Sequence, residues 1–111
     1  MKRSLLYAVL IAGGLVGCEV MNSGAPPINS EMMKAAAANG NSPEVIASGR
    51  SLLATRCTSC HSLEPVAAYT PTQWRANVVR MSNRAGLRDD EAQKIIAYLV
   101  AARESQNDTT Q

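Results

Sequence analysis

The sequence contains no phenylalanine, and aromatic residues make up only 4% of its 111 positions. Side chains large enough to fill an interior are therefore scarce, and a core built from them alone would be thin. Histidine occurs once, as His61, so no site in this chain can draw on two imidazoles. Three cysteines are an odd number, which excludes a complete internal disulfide framework. Charge of one sign is lacking as well. Eleven Lys and Arg face nine Asp and Glu, without the basic surplus that nucleic-acid binding draws on. No stretch alternates apolar and polar residues as a half-buried strand would, so the expected fold class is all-α. Apolar residues are not lacking: at 46% they argue against wholesale disorder, and the length suits one small domain at most.

The longest apolar run lies at the start, after Lys2 and Arg3, over residues 5–16. It has the length of a signal peptide and is short for a bilayer-spanning helix. It ends in Leu15-Val16-Gly17-Cys18, which resembles the lipobox of bacterial lipoproteins. That resemblance implies a signal peptide over 1–17, lipidation of Cys18, and an exported chain held on a membrane facing the periplasm. Glu19 after the cysteine, where Asp usually retains lipoproteins in the inner membrane, leans toward the outer membrane. Cleavage before Cys18 removes Lys2 and Arg3 and leaves nine positive against nine negative side chains. Attachment would then come from acyl chains rather than from attraction to anionic lipid. Residues 18–41, with Pro26-Pro27, an alanine run and Asn39-Gly40, read as a lipid-anchored tether. Ser30 is placed to cap a marginal helix over 31–38, which Asn39-Gly40 would end.

Residues 42–105 read as the folded domain, with a disordered tail over 106–111. Three main helices are legible. Ser42-Pro43-Glu44 supplies an N-cap, a proline for the first helical position and an acid for the first turn, ahead of Val45, Ile46, Gly49, Leu52 and Leu53. Thr70-Pro71-Thr72-Gln73 is a capping box leading into the stripe Trp74, Val78, Met81 and Ala85, with Gly86 as the stop. Asp89-Asp90-Glu91 opens a third helix whose apolar face is Ala92, Ile95, Ile96, Leu99 and Val100. So few residues in three helices stand near the lower limit of independent stability, where small domains need a staple.

Cys57-Thr58-Ser59-Cys60-His61 offers one. Cys-x-x-Cys-His is the spacing of c-type haem attachment: two thiols on one helical turn each add to a vinyl group. The following imidazole, His61, meets the iron as proximal ligand. A structural zinc site would need a fourth ligand, and a thioredoxin-like pair would need a βαβ setting; neither is present in the sequence. Covalently bound haem c, one per chain, would also contribute the apolar volume that phenylalanine does not. A sixth ligand follows by elimination. His61 is used, Met1 lies in the signal, and Met21, Met32 and Met33 lie in the expected tether. Met81 alone lies within the domain, and a thioether is a usual second axial ligand. Trp74 is expected to pack on the haem. Arg75, Arg80 and Arg84 lie off the apolar stripe on a solvated face, one of them a candidate partner for a haem propionate. A carbonyl in the loop around Pro65 is a candidate acceptor for the His61 Nδ1–H.

Gly49 ahead of the motif and Tyr98 near the end resemble the small class I cytochromes c. In that family a glycine on the first helix lets a C-terminal helix cross closely beside an aromatic. The run Trp74-Arg75, Val78, Arg80-Met81, Gly86-Leu87 and Asp90-Glu91-Ala92 is most similar to the cytochrome c subunits of bacterial sulfite dehydrogenases and to related haem modules of quinohaemoproteins. The resemblance covers roughly residues 45–102. It implies a compact fold of three main helices around one haem and a non-enzymatic, single-electron carrier. Its partners would be a periplasmic dehydrogenase or other redox enzyme on one side and a downstream cytochrome or oxidase on the other. The alternative is a haem-based sensor or peroxidase-like enzyme with an open or labile sixth position. One departure is plain: only 19 residues separate His61 from Met81, far fewer than is typical of class I cytochromes.

Overall fold

In the computed structural model, residues 24–57 and 62–108 are described, and all regular structure among them is helical. The order is α1 (Ser30–Ala38), α2 (Pro43–Leu52) continuing into a π-helical turn (Leu53–Cys57), a 3₁₀ turn (Val66–Ala68), α3 (Pro71–Ala85) and α4 (Asp89–Asp108). The local signals of the sequence account for most boundaries. Ser42 Oγ accepts from the Val45 amide, with Pro43 in the first turn of α2. At α3 both halves of the capping box form: Gln73 N–H donates to Thr70 Oγ1 at 3.2 Å, and Thr70 N–H donates to Gln73 Oε1 at 2.9 Å. Gly86 ends α3 in the left-handed region (φ 66°), and Leu87 N–H returns to the Ser82 carbonyl. Glu91 reaches back to the Arg88 amide at 2.9 Å and so closes the first turn of α4.

Helix α4 is the centre of the molecule, and α1, α2 and α3 all pack on it. From Ile95 to Ala102 every side chain is buried, more than the one apolar stripe read from the sequence, because partners lie on several sides. The α2–α4 crossing is the tightest approach. A Cβ placed on Gly49 would lie 2.0 Å from the Lys94 carbonyl oxygen and 3.0 Å from Tyr98 Cβ. No residue with a side chain fits there without separating the helices, which offsets the roughly 1 kcal/mol by which glycine is a poorer helix former than alanine.

The expected tether, 18–41, is corrected by the packing of most of its length: from Ala25 onward it packs on the folded body. Asn29, rather than Ser30, caps α1, accepting from the Met32 amide at 2.8 Å. Met32 and Ala36, one turn apart, are buried (1% and 0% exposed), and Asn39 Nδ2 donates to Glu104 on α4 at 2.8 Å. Upstream of α1, Arg50 donates through Nε to the Pro26 carbonyl (2.9 Å) and through Nη2 to that of Ala25 (3.1 Å). The Tyr98 hydroxyl donates to the same Pro26 carbonyl at 2.6 Å. The C-terminal boundary moves too: α4 continues through the first residues of the expected tail to Asp108, with Ser105 buried and Arg103 bonded to Asn107.

Candidate functional site

The π-helical turn carries α2 directly into the cysteine motif. Leu53 is buried and Cys57, the last residue of the turn, is half-buried. Helix α3 runs past this point with Trp74, Val78 and Met81 on its inner side; Trp74 and Val78 are buried and Met81 is half-buried. Between them lies a cleft of about 180 Å³ that Cys57 and Met81 both line. Its walls are apolar: Leu53, Leu63, Val78, Leu87 and Leu99, with Tyr69 and Trp74. Polar side chains enter from three residues, Glu64, Asn77 and Arg80.

The aromatic wall is held in place by hydrogen bonds to backbone carbonyls. Trp74 Nε1 donates to the Val66 carbonyl at 2.8 Å in a buried position. The Tyr69 and Trp74 rings meet edge to face, centroids 5.0 Å apart at 81°. Arg103 Nε ties the Tyr69 carbonyl to α4 at 3.0 Å. The loop 62–70 is also fixed in its middle by Pro65, whose carbonyl accepts from Ala68 N–H, and by the Val66–Ala68 turn. With the indole N–H satisfied by backbone, Trp74 presents only apolar surface to the cleft.

A second hollow, about 630 Å³, lies elsewhere on α4 and is larger. Its lining includes Asn39, Asn41, Arg75, Asp90, Gln93 and Lys94, and no sulfur or imidazole. Donor chemistry, not size, therefore selects the smaller cleft as the candidate site. No family model, curated protein or solved structure matches the chain. Among the described residues, no three His, Cys, Asp or Glu side chains gather as a metal cluster would require, and no helix is long and apolar enough to cross a membrane.

Of the site residues expected from sequence, Cys57 and Met81 are brought to one cleft. Cys60, His61 and Cys18 lie outside the described residues. The elimination that singled out Met81 rested partly on a wrong premise, since Met32 is buried in the folded body and Met33 packs against it. Met81 is the methionine among the described residues that lines the cleft. The three α3 arginines separate by position. Arg80 stands at the cleft, its Nη2 donating to Asn77 Oδ1 at 2.6 Å; Arg75 borders the larger hollow; Arg84 is exposed one turn beyond Arg80. Sequence reasoning missed Tyr69, Leu63 and Leu87 as cleft walls. They sit in connections, where no periodicity marks an inward face; the one available signal was the proximity of Tyr69 to the Thr70 cap.

Proposed function

We propose that the chain is an exported, lipid-anchored monohaem c-type cytochrome that carries single electrons between a periplasmic dehydrogenase and a downstream acceptor. The observation that carries this reading is the meeting of Cys57, from the Cys-x-x-Cys-His motif, and Met81 in one cleft walled by leucines and two aromatic rings. The donor set suits the group: two thiols for attachment, an imidazole and a thioether for iron, and a surrounding low in polar atoms. When bound, haem c supplies a one-electron iron couple.

In this reading Cys57 and Cys60 would hold the group covalently, and His61 and Met81 would ligate its iron. Leu53, Val78, Leu99 and Trp74 exclude water from its faces, and an apolar, thioether-bearing environment favours the reduced state. With an imidazole and a thioether of the chain both available to the iron, the chain would transfer electrons and turn over no substrate. The cytochrome c-like arrangement of the helices belongs to the same proposal, supported by the Gly49–Tyr98 crossing. Lipidation at Cys18 would hold the molecule at a membrane facing the periplasm, with Glu19 favouring the outer one. Visible spectroscopy of the purified chain tests the reading. A six-coordinate, low-spin spectrum unchanged by CO supports it. A high-spin spectrum that shifts with CO or peroxide would favour a sensor or peroxidase-like enzyme.

A further inference from the structure

The segment that leads into α1 is clamped at the tightest point of the fold. Ala25 is buried, and its carbonyl accepts from Arg50 Nη2 at 3.1 Å. The Pro26 carbonyl accepts from Arg50 Nε at 2.9 Å and from the Tyr98 hydroxyl at 2.6 Å. Arg50 belongs to α2 and Tyr98 to α4, both beside the Gly49 crossing, so the two packed helices grip two consecutive residues of the segment.

One residue earlier the chain stands at the cleft. Gly24 has φ +69°, and a Cβ placed on it would lie 2.7 Å from Leu63 Cβ. The left-handed backbone and the close approach both call for glycine. Leu63 is a wall of the cleft and lies two positions beyond His61. Going upstream, the chain therefore passes from the clamp to the edge of the cleft. Cys18 is six positions further up. Six residues span at most about 22 Å when fully extended. A tether free over all of 18–41 would reach about 80 Å.

We propose that the clamp on residues 25–26 makes a short tether that holds the cleft over the anchoring membrane, and that the redox partner served there is a protein embedded in that membrane. The proposal rests on the lipid-anchored electron-carrier reading. With the anchor at Cys18, the Leu63 edge of the cleft stays within about 22 Å of the lipid attachment, whatever path residues 18–24 take. A partner fixed in the same membrane then meets the cleft at a high effective concentration. A lipid-soluble carrier is the less suitable partner. Among the described residues the exposed large apolar side chains are Ile28 (36%) and Val79 (55%), one before α1 and one on α3. They form no apolar face for entering the hydrocarbon, where a quinone resides. A protein that presents its redox group at the membrane surface fits the reach of the tether.

The test uses the full lipidated chain in phosphatidylcholine vesicles that carry a phospholipid with a ferrocene headgroup, a redox group fixed at the surface. In its oxidised, ferricenium form the headgroup takes one electron from the reduced iron and returns to ferrocene, with no proton moved. Wild type is compared with a chain carrying about 24 inserted Gly and Ser residues between Asn22 and Ser23, and with Arg50→Gln/Tyr98→Phe. Dichroism first establishes equal helicity. Effective concentration falls roughly as the −3/2 power of tether length, so oxidation by the headgroup should slow about fivefold or more in the insertion variant. It should slow in the clamp variant as well, while oxidation by soluble ferricenium stays the same in all three. An equal or faster headgroup reaction in the insertion variant would overturn the proposal, since the cleft would then not be held at the surface. Should the clamp variant lose helicity, the insertion variant decides alone, because it alters no described residue. A long-tailed quinol in the same vesicles whose reduction of the chain shows the same dependence on tether length would overturn the choice of partner in favour of a lipid-soluble carrier. Intact mass and the visible spectrum separate the other failures: an unacylated Cys18 would defeat the anchor, and a chain without a haem spectrum would defeat the carrier reading.

Discussion

Met81 sits where two demands meet. It continues the apolar stripe of α3, and it is half-buried at a cleft that Cys57 also lines. A methionine serving only as filler could be replaced by leucine with little effect, since the two have similar volume. An iron ligand could not. Met81→Leu is therefore expected to retain helicity and lose the far-red sulfur-to-iron charge-transfer band of the oxidised protein, with a lower reduction potential. Survival of the band in Met81→Leu would assign the ligand elsewhere. Tyr98 makes a different prediction. Burial pushes its phenol up from 10.0 to about 12, opposed by the nearby Arg50 guanidinium. The folded state thus favours the neutral phenol, so this contribution is complete below pH 10 and is lost as pH rises from 10 toward 12. Denaturant titrations should show stability falling by at most about 2 kcal/mol across that window from this group. Tyr98→Phe should flatten the fall, at a loss of about 1 kcal/mol near neutrality for the hydrogen bond to Pro26.

The helices differ in how plainly their sequences announce them. The starts of α2, α3 and α4 follow from cap residues, prolines and acids within four positions, because capping is satisfied by neighbours in the chain. Helix α1 and the segment before it were read as tether because their burial depends on distant residues. Pro26 is held by Tyr98, 72 positions away, and an alanine run with a single buried methionine carries little periodic signal. The cleft was legible in the same uneven way: Cys57 and Met81 belong to a motif and a stripe, whereas Tyr69, Leu63 and Leu87 come from connections. The α2–α4 crossing provides the sharpest test among these elements. Gly49→Ala should raise the helix propensity of α2, yet the added methyl meets the Lys94 carbonyl at 2.0 Å. A net destabilisation of about 1–3 kcal/mol is expected in chemical denaturation, as for overpacked cores. A neutral or stabilising result would mean that the helices cross less closely. At α3, Thr70→Ala removes the cap bond to Gln73 and should lower stability by about 1 kcal/mol without altering the visible spectrum.

For the molecule as a whole the question is what fills its interior. The described core is made of small and branched side chains around one tyrosine and one tryptophan, and it opens into a cleft beside the cysteine motif. A covalently held, flat apolar group in that cleft would join α2, the 62–70 loop and α3 around a shared surface. Folding and attachment should then be coupled, and Cys57→Ser/Cys60→Ser should broaden or abolish the thermal unfolding transition followed by dichroism. The central claim is attachment itself, and the most direct measurement is the intact mass of the exported chain, read with its alkaline pyridine spectrum. The account predicts the processed chain plus one haem, with a pyridine spectrum of two saturated vinyl groups and no adduct in the double serine variant. A chain at its bare polypeptide mass, or lighter by two hydrogens from a Cys57–Cys60 disulfide, would contradict it.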